Sequence, residues 1–405
     1  MDSRVLRTMK PYFLREFGNP GSLHSFGQKA IAAVDASRES IGKLIGAKHF
    51  REIIFTSGAT EANNLALRGA VDFYKQHHRV VASDAASAAR PRIINASVEH
   101  ESIFETAKAL ESYGVEVITL PVNKEGVIDI VALKDALTEG TVVVSVMHVN
   151  NEVGTIQPLR EIKFMIDEFR KGIADNSSSR AQGGFAGSPY PLFHTDAAQS
   201  FPYLYCDVEL LGVDMMTLSA HKMHGPKGSG ALYVRRDEKA FSESGGFPLL
   251  AQVAGGGQEF GLRSGTENVP GIVGLAKAAH LAAAERGKVS THVTTVRDEL
   301  WRRIKIIAPG AEINGPMGDA KAPHILNVYF PGYASQDLLT RFDRMGLAAS
   351  SGSACRSRAA ESSYVIEAMG YSKDRAVSSI RFSVGKGTTK REVVAAARII
   401  KKALE

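Results

Sequence analysis

The chain has 405 residues, 44% of them hydrophobic and 23% charged, with a mean hydropathy of −0.09. These are ordinary soluble globular values, and they exclude wholesale disorder and fibrous structure; at roughly 100–200 residues per domain they imply two domains. The net charge of +6 is thin and interspersed, so it implies no nucleic-acid surface and suits a small anionic ligand.

No apolar run approaches the ~20 residues that a membrane span needs. The two cysteines, Cys206 and Cys355, cannot make a disulfide framework. That favours a reducing compartment, cytoplasmic or mitochondrial.

In chain order, the opening MDSRVLRTMKPYF has no apolar secretory core. Residues 27–46 read as an amphipathic helix, with Ile31, Val34, Ile41, Leu44 and Ile45 near helical spacing and Gly46 as the stop. EIIFTSGATEANNLAL reads as a strand, a tight turn and a helix start. RIINAS (92–97) and VEVITLPV (115–122) read as strands, with a helix over 101–113 between them. TVVVSVMHV (141–149) is a continuous apolar run, the mark of a strand buried on both faces. A helix follows Pro158, and then LFHTDAAQS, DMMTLSAHK and GALYVRR supply three more strands. This alternation predicts an α/β fold, a mainly parallel sheet with helices on both faces. The texture changes near residue 287. A long helix over about 291–306, strands in HILNVYF and SSIRFSV, and a helix over 389–404 predict a smaller α+β unit. The expected division is 13–286 against 1–12 with 287–405. Two stretches, 83–91 and 174–189, are rich in Ser, Ala and Gly and read as mobile surface insertions.

SAHKMHGPKGSGALYV is the sharpest chemical feature. Lys222 directly follows a strand, flanked by Ser219 and His221. It reads either as a solvated turn lysine or as a reactive amine held where it can lose its proton. The glycines there do not match the spacing of a P-loop. Asp196 in HTDAAQS stands at a strand's carboxyl end, where open α/β sheets bind ligands; a helix N-cap reading fits it too. TSGATEANN puts Thr60 at a helix start whose free backbone N–H groups suit a phosphate. Together, a phosphate cradle, an acid and a lysine are what a pyridoxal-phosphate site requires.

The motifs FGNPGS, TSGATEANNLAL, VEHES, HVNNEVGTIQP, HTDAAQS, SAHKMHGPKGSGALYVRR, GGGQEFGLRSGTENVPGIVGL, SSGSAC and SSIRFSVG follow in order over nearly the whole chain. In them the chain resembles the NifS/IscS-like cysteine desulfurases, group I of the class V aminotransferase-like pyridoxal-phosphate enzymes, and the related selenocysteine lyases. The resemblance implies a fold type I enzyme with pyridoxal 5′-phosphate as cofactor and no metal. It makes Lys222 the Schiff-base lysine and proton shuttle, and His100 the imidazole stacked on the cofactor ring. Asp196 would pair with the pyridine nitrogen and Gln199 with the phenolate oxygen. Ala59, Thr60, Ser219 and His221 would hold the phosphate. Thr266 would reach the phosphate of the other subunit, which implies a homodimer. Asn151 and Arg381 would receive the substrate carboxylate. Cys355 would be the nucleophile that takes sulfur from L-cysteine as a persulfide, leaving L-alanine and supplying an acceptor protein for iron–sulfur clusters or other thio-cofactors. Cys206 fits a buried inert thiol.

Glu101 after His100 and the two insertions lean towards a selenocysteine lyase, whereas SSGSAC and RSGTENV lean towards a desulfurase. A non-catalytic protein on the same fold is a further alternative, and a generic aminotransferase gives the Cys355 loop no task. Arg356 and Arg358 depart from the family's usual loop and add charge beside Cys355. The strand and Asn/Ala-Thr-Thr-Pro segment that family members carry before the part matching MDSRVLRTMKPY is absent, an expectation that bears on activity and targeting.

Overall fold

Successive strand residues point to opposite faces of a sheet, so a strand buried on both sides needs apolar residues at consecutive positions. The central strands have that pattern. In the computed structural model, which describes residues 1–81, 90–177, 190–237, 244–352 and 362–405, their neighbours enter two different cores. Ile54, Ile93, Val143, Leu192 and Met215 join one core, and Phe55, Ile94, Val144, Phe193 and Met216 the other.

The chain begins with α1 (Ser3–Leu14) and α2 (Ser25–Ile45). Gly46 ends α2 in the left-handed conformation at φ 72°, the glycine stop its sequence predicts. Next come β1 (Ile53–Thr56), α3 (Ala59–Val81), β2 (Arg92–Ala96), α4 (Glu101–Glu111), β3 (Glu116–Leu120), α5 (Ile130–Ala136) and β4 (Thr141–Ser145). α6 (Leu159–Ser177), β5 (Leu192–Asp196), α7 (Val208–Leu211), β6 (Met215–Ser219) and β7 (Gly230–Val234) complete the first part. The sheet order is β1-β7-β6-β5-β4-β2-β3. β3, β2, β4, β5 and β6 pair in parallel, while β7 runs antiparallel to both β6 and β1. With only β7 reversed, β1, β2, β4, β5 and β6 all end at the same edge of the sheet. Helices α3 and α4 pack on one face, and α2 and α6 on the other.

β4 stops at Ser145 rather than 149. The backbone N–H groups of Val146 and His148 still donate to the carbonyls of His194 and Asp196 at 3.0 Å, so the buried run continues along β5 past its regular part.

The long helix expected over 291–306 is α8 (Val269–Ile307), about 60 Å of unbroken helix. Its first third belongs to the sheet's core, and Val296, Leu300 and Ile304 belong to a separate core. Residue 287 lies between them, so the change of texture there marks a change of packing partner within one helix. α1 packs along α8, with Val5 and Met9 buried in the first core. The third core is closed by β8 (Glu312–Asn314), β9 (Ile325–Tyr329), α9 (Ser335–Arg344), β10 (Ser379–Ser383) and α12 (Lys390–Leu404). The three strands pair antiparallel in the order β10-β9-β8. Two short helices, α10 (Tyr364–Ala368) and α11 (Lys373–Val377), precede β10.

Of the two expected insertions, 83–91 falls outside the described residues except for 90 and 91. Residues 174–177 continue helix α6 rather than opening a loop, and 178–189 fall outside the described residues. No helix among the described residues is long and apolar enough to cross a membrane.

Candidate active site

Seven expected residues stand at the common edge of the sheet. Asp196 ends β5 and Ser219 ends β6. Lys222 and His221 follow in a short 3-10 turn. His100 is the N-cap of α4, just beyond β2. Ala59 and Thr60 open α3 beyond β1. Parallel strands deliver their carboxyl ends together, which is why residues 160 positions apart in sequence become neighbours.

Two close approaches fix the phosphate side of this edge. Gly230 pairs with Ser219 across one edge of β7 and with Thr56 across the other. A Cβ on Gly230 would lie 2.7 Å from Cα of Gly58 and 2.8 Å from the carbonyl oxygen of Leu218, so only glycine fits. The start of α3 is thereby held against the end of β6. Its first N–H groups have no partners within the helix, and Oγ of Ser219 lies 3.0 Å from Nδ1 of His221. Burial, together with the positive charges of Lys222 and Lys227, lowers the pKa of His221.

Asp196 is 6% exposed and both its oxygens are held. Oδ1 accepts from the backbone N–H of Ala198 at 2.9 Å, and Oδ2 accepts from Nδ2 of Asn63 at 2.8 Å. Nδ2 of Asn63 also donates to Oγ of Ser102 at 2.8 Å. That hydroxyl lies 2.9 Å from Nδ1 of His100. Gln199, a turn beyond Asp196, meets Nε2 of His324 at 3.0 Å through its Oε1.

Asn151 and Arg381 are brought together from opposite parts of the chain. Nη1 of Arg381 donates to the carbonyl of Asn151 at 2.8 Å. Nε of Arg381 and Oδ1 of Asn151 are buried without a hydrogen-bond partner among the described residues. Burial lowers the pKa of Arg381, with the nearby Glu152 carboxylate opposing the shift. Arg381 also pairs its backbone with Ser350. Cys355, with Arg356 and Arg358, lies outside the described residues. The residues bordering that stretch both approach Glu152: Oγ of Ser363 donates to its Oε2 at 2.5 Å, and a Cβ on Gly352 would lie 3.2 Å from the same oxygen.

Thr266 is exposed in the loop before α8. That loop is pinned from two sides. Nε of Arg263 donates to Oε1 of Glu61 at 2.8 Å, and the buried Arg38–Glu259 pair closes at 2.7 and 2.8 Å. Glu259 and Phe260 adopt positive φ there, at 50° and 59°, a strained backbone that the ion pair holds in place. Cys206 is buried, with Oγ of Ser200 at 3.4 Å and its thiol pushed up to about 11 by burial, as an inert core thiol should be.

A family model, aminotransferase class-V, matches residues 1–174 and 190–395. The chain is 41% identical over 401 residues to "Cysteine desulfurase IscS" of Anaeromyxobacter sp. (strain Fw109-5), covering 99% of this chain and 89% of that protein. The chain belongs to the class-V aminotransferase family, among its cysteine desulfurases. It is also 41% identical over 397 residues to "Cysteine desulfurase, mitosomal" of Trachipleistophora hominis, covering 97% of this chain and 81% of that protein. A solved structure described as a NifS-like protein superposes with a TM-score of 0.84 at 32% identity, over 100% of this chain and 96% of that one.

Enzymes of this family use pyridoxal 5′-phosphate, and the site fits it. The free N–H groups of α3, the Ser219–His221 pair and the cationic surroundings suit a phosphate dianion. The doubly held carboxylate of Asp196 suits a protonated ring nitrogen. Sequence reasoning missed Asn63, Ser102, His324 and Glu152. Asn63 carried one signal, a polar residue one helical turn beyond Ala59 on a face that is otherwise apolar.

Proposed function

We propose that the chain removes sulfur from L-cysteine, releasing L-alanine and keeping the sulfur as a persulfide on Cys355 for an acceptor protein. The observation that carries this reading is the meeting of Arg381 and Asn151, 2.8 Å apart, beside an edge that holds Lys222, His100 and Asp196.

Pyridoxal 5′-phosphate, when bound, holds the amino acid and draws off the electrons released as its α-proton leaves. Ala59, Thr60, Ser219 and His221 would hold the phosphate, Asp196 the ring nitrogen, Gln199 the phenolate oxygen and His100 the ring face. Lys222 would carry the cofactor at rest and move the proton at the substrate's α carbon. Arg381 and Asn151 would fix the substrate carboxylate. The Cys355 thiolate would then form an S–S bond to the substrate sulfur. The C–S electron pair stays with carbon, and a proton completes the methyl group of alanine. Thr266 would serve the phosphate of a second copy, which makes the working form a homodimer. The sulfur would supply iron–sulfur clusters or other thio-cofactors, in the cytoplasm or in a mitochondrial compartment. We retain two working units, 13–286 and 1–12 with 287–405; the separate core that begins at Val296 supports the C-terminal part, whereas Val5 and Met9 of the N-terminal segment lie in the first core.

Glu101 has a local structural reason beside its lean towards selenocysteine. It is the first residue of α4, where any acid gains from the positive end of the helix dipole.

Changing Cys355→Ser tests the reading. Alanine and sulfide release from cysteine should be lost while the bound cofactor keeps its visible colour. Unchanged release would overturn it.

A further inference from the structure

The amide of Gln199 has two opposite ends, a carbonyl that accepts and an NH2 that donates. Only the donating end can support a phenolate oxygen. Gln199 itself does not decide between them, because rotating an amide by half a turn exchanges the two ends at almost no cost in shape.

His324 does decide. It lies just before β9, and its side chain reaches from the second unit to the edge of the first. The ring is 6% exposed. It stacks on Tyr203 with centroids 4.1 Å apart and planes 15° apart. Its backbone carbonyl accepts from the N–H of Val384 at 3.0 Å. Burial, reinforced by the charges of Lys222, Arg381 and Arg297, pushes its pKa down to about 3. At neutral pH the ring is uncharged and carries one proton. On Nδ1 that proton would be a buried donor with no partner among the described residues. On Nε2 it makes the 3.0 Å bond to Oε1 of Gln199. An idle lone pair is tolerated in a protein interior more readily than an unpaired N–H. The proton therefore sits on Nε2, Gln199 accepts, and the NH2 of Gln199 is the end left for another partner.

We propose that His324 is a positioning residue that fixes the amide of Gln199 so that its NH2, and not its carbonyl, meets the cofactor's phenolate oxygen. The proposal rests on the reading of Gln199 given above. A donor on that oxygen draws away its negative charge and weakens its hold on the proton of the lysine-linked nitrogen. Without the donor that proton is held to higher pH. A hydrogen bond to a charged oxygen moves such a midpoint by about one pH unit.

The test is a pH titration of the visible band of the purified holoenzyme in five forms: unchanged, His324→Leu, His324→Asn, Gln199→Leu and the double variant His324→Leu with Gln199→Leu. The proposal expects the midpoint to rise by about one unit in His324→Leu and equally in Gln199→Leu. The double variant should add nothing further, and His324→Asn, which keeps an N–H donor, should restore the original midpoint at least in part. A shifted Gln199→Leu beside an unshifted His324→Leu overturns the proposal and leaves the reading of Gln199 standing. So does a His324→Leu protein that melts earlier with its midpoint unmoved, because a merely structural histidine behaves that way. An unshifted Gln199→Leu overturns the reading of Gln199 itself, and the proposal with it.

Discussion

Asn63 donates to Oδ2 of Asp196 at 2.8 Å from inside helix α3, and both partners are buried. Both oxygens of Asp196 are acceptors here, so the atom facing it must be the amide nitrogen. The second hydrogen of that nitrogen goes to Oγ of Ser102. The Ser102 hydroxyl then directs its own hydrogen to Nδ1 of His100, which also accepts the backbone N–H of Ser102 at 3.1 Å. One buried amide thus links the carboxylate expected under the pyridine nitrogen to the imidazole expected over the ring.

Asn63→Leu keeps the volume and removes that link. A hydrogen bond to a charged group contributes about 1.5–3 kcal/mol. Cofactor affinity should therefore fall by about tenfold to a hundredfold. Titrating the cofactor-free protein with pyridoxal 5′-phosphate and following the visible band measures it. An unchanged affinity would detach Asn63 from the cofactor.

Arg381→Lys keeps a positive charge but loses the planar fork that takes a carboxylate through two bonds. It also places a flexible ammonium beside the Asn151 carbonyl that Nη1 now occupies. KM for cysteine should rise about tenfold with a smaller change in kcat, the pattern of lost substrate binding. Steady-state alanine release gives both constants. A fall in kcat alone would move Arg381 out of the carboxylate site.

Lys321 is 5% exposed, and its Nζ has no hydrogen-bond partner among the described residues. Burial, with the nearby charge of Arg297, lowers its pKa from 10.5 to about 7, Asp298 opposing. Between those two values the unfolded chain binds more protons than the folded one, so stability rises with pH across that window. At pH 7 and below the buried charge is a net cost. Lys321→Met should stabilise the protein at pH 7 by about 1–3 kcal/mol. It should also flatten the rise in stability between pH 7 and 9. Thermal unfolding of both proteins at the two pH values checks the sign.

Much of this was legible in the amino-acid order. The alternation of strands and helices up to β7 follows from local apolar patterns, as does the glycine end of α2. Asp196, Ser219 and Lys222 stand out because each closes or follows an apolar strand run. The same patterns misjudged α8. Its first third is apolar on several sides, since it is covered by α1, α2 and the turn at Ala220–Met223 at once, and period-based reading finds no single face there.

The sequence by itself determined which residue types stand at the ends of which strands, because strand and helix formation depend on neighbours a few positions away. Only the tertiary structure decided which of those ends meet. The direction of β7, the seating of Gly230 against Gly58 and the 230-residue closure between Asn151 and Arg381 all arise from packing between distant segments. The orientation of polar groups belongs to that level as well. Whether Asn63 and Gln199 present a donor or an acceptor depends on the partners that folding places beside them, Asp196 and His324, and those partners leave no trace in the local sequence.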